Sequence, residues 1–276
     1  MRKENIRNPI GIFDSGFGGL NILKEIIKGL PEYDYIYLGD TARTPYGARS
    51  QEVIRNFTEE AVGFLFKRNC QLIILACNTA SSEALRKIQR EYLPKNYPNR
   101  RVLGVIVPAA ESAVVRTNNN CIGVIATEST VRSKAFEKEV KKLNPQIEVF
   151  QEACPLLAPL VENGEENSGV TELAIRNYLS PLLRKNIDTL ILGCTHYGIL
   201  EDKIRKIVGP GINLVSEGAV VADKLKDYLQ RHKELDDEIS RNAGAEFFTT
   251  DLTDKFQILG SKFFGKRILP KRAKLG

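Results

Sequence analysis

The chain has 276 residues, and its 40 Lys and Arg against 34 Asp and Glu give a net charge of +6 and a pI near 9.0. All of that excess lies in residues 262–276, which hold six basic residues and no acid, so the rest is neutral and the pI is no evidence for a nucleic-acid partner; the tail is expected to be solvated. A 42% hydrophobic and 27% charged composition excludes a disordered chain, no apolar run exceeds 72–77, which excludes a transmembrane helix, and no signal peptide precedes residue 16, so the reading is a cytoplasmic protein without membrane partners.

In chain order, short Ile/Val/Leu-rich runs predict strands over 10–13, 33–38, 72–76, 102–107, 122–126, 147–150 and 189–192. Several are apolar on successive positions, as parallel strands buried on both faces require. Helical spacing with charged outer faces recurs over 51–69, 81–93, 128–143, 170–185 and 199–208. The alternation predicts an α/β protein with mainly parallel sheets. A weak repeat points to two pseudo-symmetric halves. LIILACNT at 72–79 matches LILGCTH at 190–196, and IGIFDS at 10–15 matches IGVIAT at 122–127.

Gly16, Gly18 and Gly19 follow the first strand, yet the third glycine of a dinucleotide fingerprint would fall on Asn21, and no GK[ST] follows. A nucleotide cofactor is therefore not expected, and the turn suits a small anion at a helix start. The five cysteines, at 70, 77, 121, 154 and 194, include no CxxC pair and are expected as free thiols. Cys77 and Cys194 each end an aliphatic strand and open a turn rich in hydroxyl and amide groups. A helix start there is expected to lower a thiol pKa toward neutrality. Three chemistries use such residues. Cys77, Cys194 and His196 are three potential metal ligands, without the usual local spacing of a zinc site. A Cys–His acyl-transfer enzyme uses Cys194 and His196 and leaves Cys77 idle. Two-base proton transfer at a carbon uses both thiols, one on each face of the stereocentre. His232 sits in a charged stretch and reads as solvated surface.

Five ordered motifs, IGIFDSGFGGL (10–20), GDTARTPYG (39–47), ACNTASS (76–82), TEST (127–130) and GCTHY (193–197), resemble those of glutamate racemases. That resemblance implies a cofactor-independent isomerase that interconverts L- and D-glutamate and supplies D-glutamate for peptidoglycan, cell-wall biogenesis and cell shape. No metal or other cofactor is implied, the partner is small-molecule glutamate, and a homodimer is the assembly left open. Cys77 and Cys194 would be the acid/base pair, with Asp14, His196 and Glu162 assisting. Asp14, Ser15, Pro45, Tyr46, Gly47, Asn78, Thr79, Thr127, Thr130, Thr195 and His196 would hold substrate. Two positions depart from the family pattern: Gly198 replaces the usual proline, and Ser216-Glu217-Gly218 replaces an aspartate-containing motif. The expected fold is α/β, two pseudo-symmetric domains with mainly parallel sheets flanked by helices and the active site at the domain interface. Residues 1–105 and 216–276 would form the first domain, with Asp14 and Cys77, and 106–215 the second, with Cys194 and His196. The rivals are an aspartate racemase, a Cys–His amidohydrolase and a non-catalytic anion-binding module.

Overall fold

The structure, a computed structural model, describes residues 8–275; the outermost residues of the expected first domain, 1–7 and 276, lie outside the described residues. Among the described residues ten strands form two sheets: β1 Ile10–Asp14, β2 Tyr35–Gly39, β3 Leu72–Leu75, β4 Arg101–Gly104, β5 Cys121–Ala126, β6 Glu148–Ala153, β7 Thr189–Gly193, β8 Asn213–Val215, β9 Ala245–Thr249 and β10 Lys271–Arg272. One sheet has the order β10-β9-β2-β1-β3-β4 and the other β6-β5-β7-β8. Every pairing is parallel.

The central strands explain themselves. β1, β2, β3 and β7 are buried along their whole length, so both faces need apolar side chains and the sequence cannot alternate. The orders β2-β1-β3-β4 and β6-β5-β7-β8 are the same pattern, so β1 corresponds to β5 and β3 to β7. This is the relation that the sequence repeat pairs. In such open sheets ligands gather beyond the carboxyl ends at the point where the strand order reverses, here between β1 and β3 and between β5 and β7. The chain leaves the first sheet after β4 and returns to it after β8. The helix Glu217–Arg231 then packs on the helix Gly19–Gly29. One apolar cluster runs from Ile12 and Leu20 through Phe17 to Leu192 and Tyr197, joining both halves.

Several local expectations need correction. The apolar run 102–107 is not one strand: β4 stops at Gly104, and Ile106–Arg116 is a helix with Pro108 in its first turn, where a missing N–H is harmless. The stretch 128–143 breaks at Lys134, which takes φ 55°, and splits into Glu128–Ser133 and Ala135–Leu143. His232 is half-buried, stacked 4.0 Å from the Tyr228 ring at the end of its helix, and is not free surface. The basic tail is not solvated either. Phe263, Ile268 and Ala273 are buried, and β10 extends the first sheet while its lysine and arginine stay outside. Charge alone predicted solvation; the apolar residues interleaved with it decide the packing.

Candidate active site between the two sheets

Cys77 follows β3 and caps the helix Asn78–Glu83, and Cys194 follows β7 and opens the 3-10 turn Thr195–Leu200. The two thiols thus occupy corresponding corners, and both are buried, at 5% and 8% exposed. The Cys77 thiol donates to Ser15 Oγ at 3.4 Å. Burial first, and then the neighbouring Asp14 charge, push its pKa up to about 12, against the lowering effect of the Ser15 contact. The expected drop toward neutrality is therefore wrong for Cys77. A six-residue helix start offers a thiol less than removal from water takes away. Cys194 Sγ lies 3.7 Å from His196 Nδ1.

His196 is almost fully buried, and burial by itself would lower its pKa. Contacts with Cys194 and Glu162 outweigh that and raise it well above 6.5. Its Nε2 lies 3.0 Å from Glu162 Oε1, at ion-pair distance but without hydrogen-bond alignment. Aromatic edges fix the ring: Phe17 and Phe263 have centroids 6.0 and 5.7 Å away, the second contributed by the tail helix Asp254–Phe264.

Asp14 ends β1 and is fully buried. Its Oδ2 accepts from Gly16 N–H at 3.0 Å, and its Oδ1 accepts from Thr195 Oγ1 at 3.3 Å across the cleft. Burial raises its pKa, opposed by His196 and the donors around it. Close glycine packing brings the halves together here: a Cβ at Gly18 would sit 2.9 Å from Thr195 Cβ and 3.0 Å from His196 Nδ1. On the other side of the cleft Thr79 Oγ1 and Thr127 Oγ1 are 2.9 Å apart. Ser129 N–H donates to Gly47 O, and a Cβ at Gly47 would meet Thr127 Cβ at 2.8 Å.

The structure thus gathers Asp14, Ser15, Gly47, Asn78, Thr79, Thr127, Glu162, Thr195 and His196 around the two thiols. Three residues stand apart. Pro45, after a cis peptide bond, is exposed. Tyr46 is buried and donates its hydroxyl to Asp40, so only its backbone is left for a ligand. Thr130 is fully buried and accepts from Thr127 Oγ1, so it holds Thr127 in place. Sequence reading missed Glu217, Phe17 and Phe263. Glu217 lies in the departing 216–218 segment, is buried, and accepts from Asn78 Nδ2 at 2.8 Å. The signal for it was an acid opening a helix; nothing in the sequence places it beside Asn78. Among the described residues no group of three or more His, Cys, Asp and Glu has the arrangement of a metal site.

Such an arrangement can place a small zwitterion between two sulfur atoms, with hydroxyls, amides and helix starts as its polar wall. A family model described as Asp/Glu/Hydantoin racemase matches residues 15–225. The glutamate racemase of Geobacter metallireducens is 42% identical over 259 residues, covering 94% of this chain and 93% of that one. The crystal structure of glutamate racemase isoform RacE1 from Bacillus anthracis superposes with a TM-score of 0.89 at 36% identity, covering 97% of each chain. That of the Francisella tularensis glutamate racemase in complex with D-glutamate gives 0.87 at 34% identity, covering 98% of each.

Proposed function

The chain belongs to the Asp/Glu/hydantoin racemase family, and from that premise we propose that it is a glutamate racemase that interconverts the L and D enantiomers by two-base proton transfer between Cys77 and Cys194. The observation that carries this reading is the equivalence of the two thiol corners: buried sulfur atoms just beyond the carboxyl ends of β3 and β7, near enough for charge on Cys194 to act on Cys77. Inversion at Cα requires a base on one face and an acid on the other.

In one direction the Cys194 thiolate takes the Cα proton and becomes a thiol, while the electron pair stays on Cα. The Cys77 thiol then delivers its proton to the opposite face and becomes a thiolate. The reverse direction exchanges these roles, and the protein's total proton count is unchanged. A protonated His196 gives a hydrogen bond to the Cys194 sulfur when that sulfur is a thiolate, and Glu162 holds the imidazolium. Asp14 faces the substrate ammonium, and the hydroxyls of Ser15, Thr79, Thr127 and Thr195 with the backbone N–H groups of Tyr46 and Gly47 receive its carboxylates. A Cα–H is a far weaker acid than a thiol, so a dry site with preorganised dipoles must stabilise the carbanion. Burial of Asp14, Asn78 and Thr195 supports such a site.

The two sheets correspond to two domains in this reading, 1–105 with 216–276 and 106–215, and the product serves peptidoglycan synthesis in the cytoplasm. The test is proton exchange at Cα of glutamate in deuterated water, followed with optical rotation. Racemisation with solvent deuterium incorporated, and no requirement for pyridoxal phosphate, is the expected result. Faster turnover of aspartate than glutamate would move the reading to its sister activity, and ammonia release from an amide without racemisation would overturn it.

A further inference from the structure

The two departures noted in the sequence are neighbours in space. Gly198 has no side chain where a Cβ would press on Asn21 Nδ2 and lie 3.9 Å from Ser216 Oγ. The segment 216–218 lies against the same helix, since a Cβ at Gly218 would meet Glu25 and the Asn21 carbonyl. This packing brings Glu217 into the protein beside Asn78, the residue after Cys77. Glu217 and Asn78 are 4% and 2% exposed, and they share one hydrogen bond, Nδ2 to Oε2. Asn78 Oδ1 and Glu217 Oε1 are both buried without a partner. A buried amide oxygen and a buried carboxyl oxygen, both left unpaired on one hydrogen-bonded pair, are unfavourable and call for an explanation. Burial, with the Asp14 charge adding to it, raises the Glu217 carboxyl well above the usual range and makes a neutral acid accessible.

A carboxylate can only accept, so it draws the amide NH2 and leaves Oδ1 toward the site, where it repels an anionic substrate. A neutral acid can donate to Oδ1, which turns the NH2 toward the site as a donor for a carboxylate. We propose that Glu217 is a positioning residue that selects which end of the Asn78 carboxamide faces the substrate, and so sets the affinity for an anionic amino acid. The inference rests on the racemase reading above, and it concerns a position where this chain departs from the family pattern.

The experiment is steady-state racemisation of glutamate by five proteins: wild type, Glu217→Gln, Glu217→Leu, Asn78→Ala and the double variant Asn78→Ala/Glu217→Leu. Gln keeps a donor for Oδ1, so KM for Glu217→Gln stays within threefold of wild type. Leu matches the volume without a hydrogen bond, and KM rises roughly tenfold while kcat stays within threefold. In the Asn78→Ala background, adding Glu217→Leu changes KM less than twofold, because the partner it positions is gone. Equal KM in Glu217→Leu and wild type, or a full tenfold rise that persists without Asn78, overturns the inference. If Glu217→Leu does not fold, as judged by circular dichroism, a KM rise of tenfold or more in Glu217→Gln overturns it instead. Failure of the wild type to racemise glutamate refutes the parent reading separately.

Discussion

The Cys77 and Cys194 corners are built by the same strand order, yet they differ in what surrounds the sulfur. At Cys77 the partners are a hydroxyl and the buried Asp14, and the thiol is held in its protonated form. At Cys194 the partner is His196, itself biased toward its cation by Glu162. Topology repeats and electrostatics do not. A symmetric fold can therefore give its two thiols unlike surroundings, a hydroxyl and a carboxyl at one corner and an imidazole at the other. In the proposed reaction either sulfur has to take both roles, since racemisation runs both ways.

The largest effect expected is from removing either sulfur. Cys77→Ala and Cys194→Ala each lower kcat for racemisation by about 10²–10⁴-fold, the usual worth of a positioned acid or base; a polarimetric assay that finds one variant near wild type would break the two-corner comparison. Next comes Gly18→Ala. The backbone at Gly18 is ordinary right-handed helix, so alanine is tolerated there, but its Cβ would enter the space of Thr195 and His196. Displacing the Cys194 corner by a fraction of an ångström should cost up to about 10²-fold in kcat, and the overpacked contact lowers the melting temperature as well. Glu162→Gln sharpens the electrostatic half of the comparison. It removes one of the two contacts that favour the imidazolium, so the His196 pKa falls and the alkaline limb of the kcat profile moves down by roughly one pH unit. An unmoved limb would show that Glu162 does not act on His196. The smallest effect is at the rim, where Lys262 of the tail helix pairs with Glu166 of the opposite half. That lysine is half exposed, so Lys262→Met should change stability by no more than about 1 kcal/mol in urea unfolding.

Much of this was legible in the residues. The seven apolar runs located β1 to β7, most sharply β1, β2, β3 and β7, because parallel strands buried throughout leave no polar face to blur the pattern. β8, β9 and β10 were not visible. β8 has three residues, β10 is the exposed pair Lys271–Arg272, and β9 carries Glu246, so none shows a sustained apolar run. The thiols stood out because each ends a strand. Glu217 and Phe263 did not, since their partners lie 139 and 67 positions away in the chain and only the return of the chain after β8 brings them near. The thiol pKa at Cys77 was misread for a related reason: a helix start is local and visible in sequence, whereas burial and the approach of Asp14 are tertiary.

The two-corner account is tested most directly by offering pure L- and pure D-glutamate to Cys77→Ser and Cys194→Ser in deuterated water and following loss of the Cα proton by NMR. Each variant keeps one sulfur on one face, so each should exchange one enantiomer at least tenfold faster than the other, with opposite preferences in the two variants. The same preference in both, or equal exchange of the two enantiomers, would contradict it.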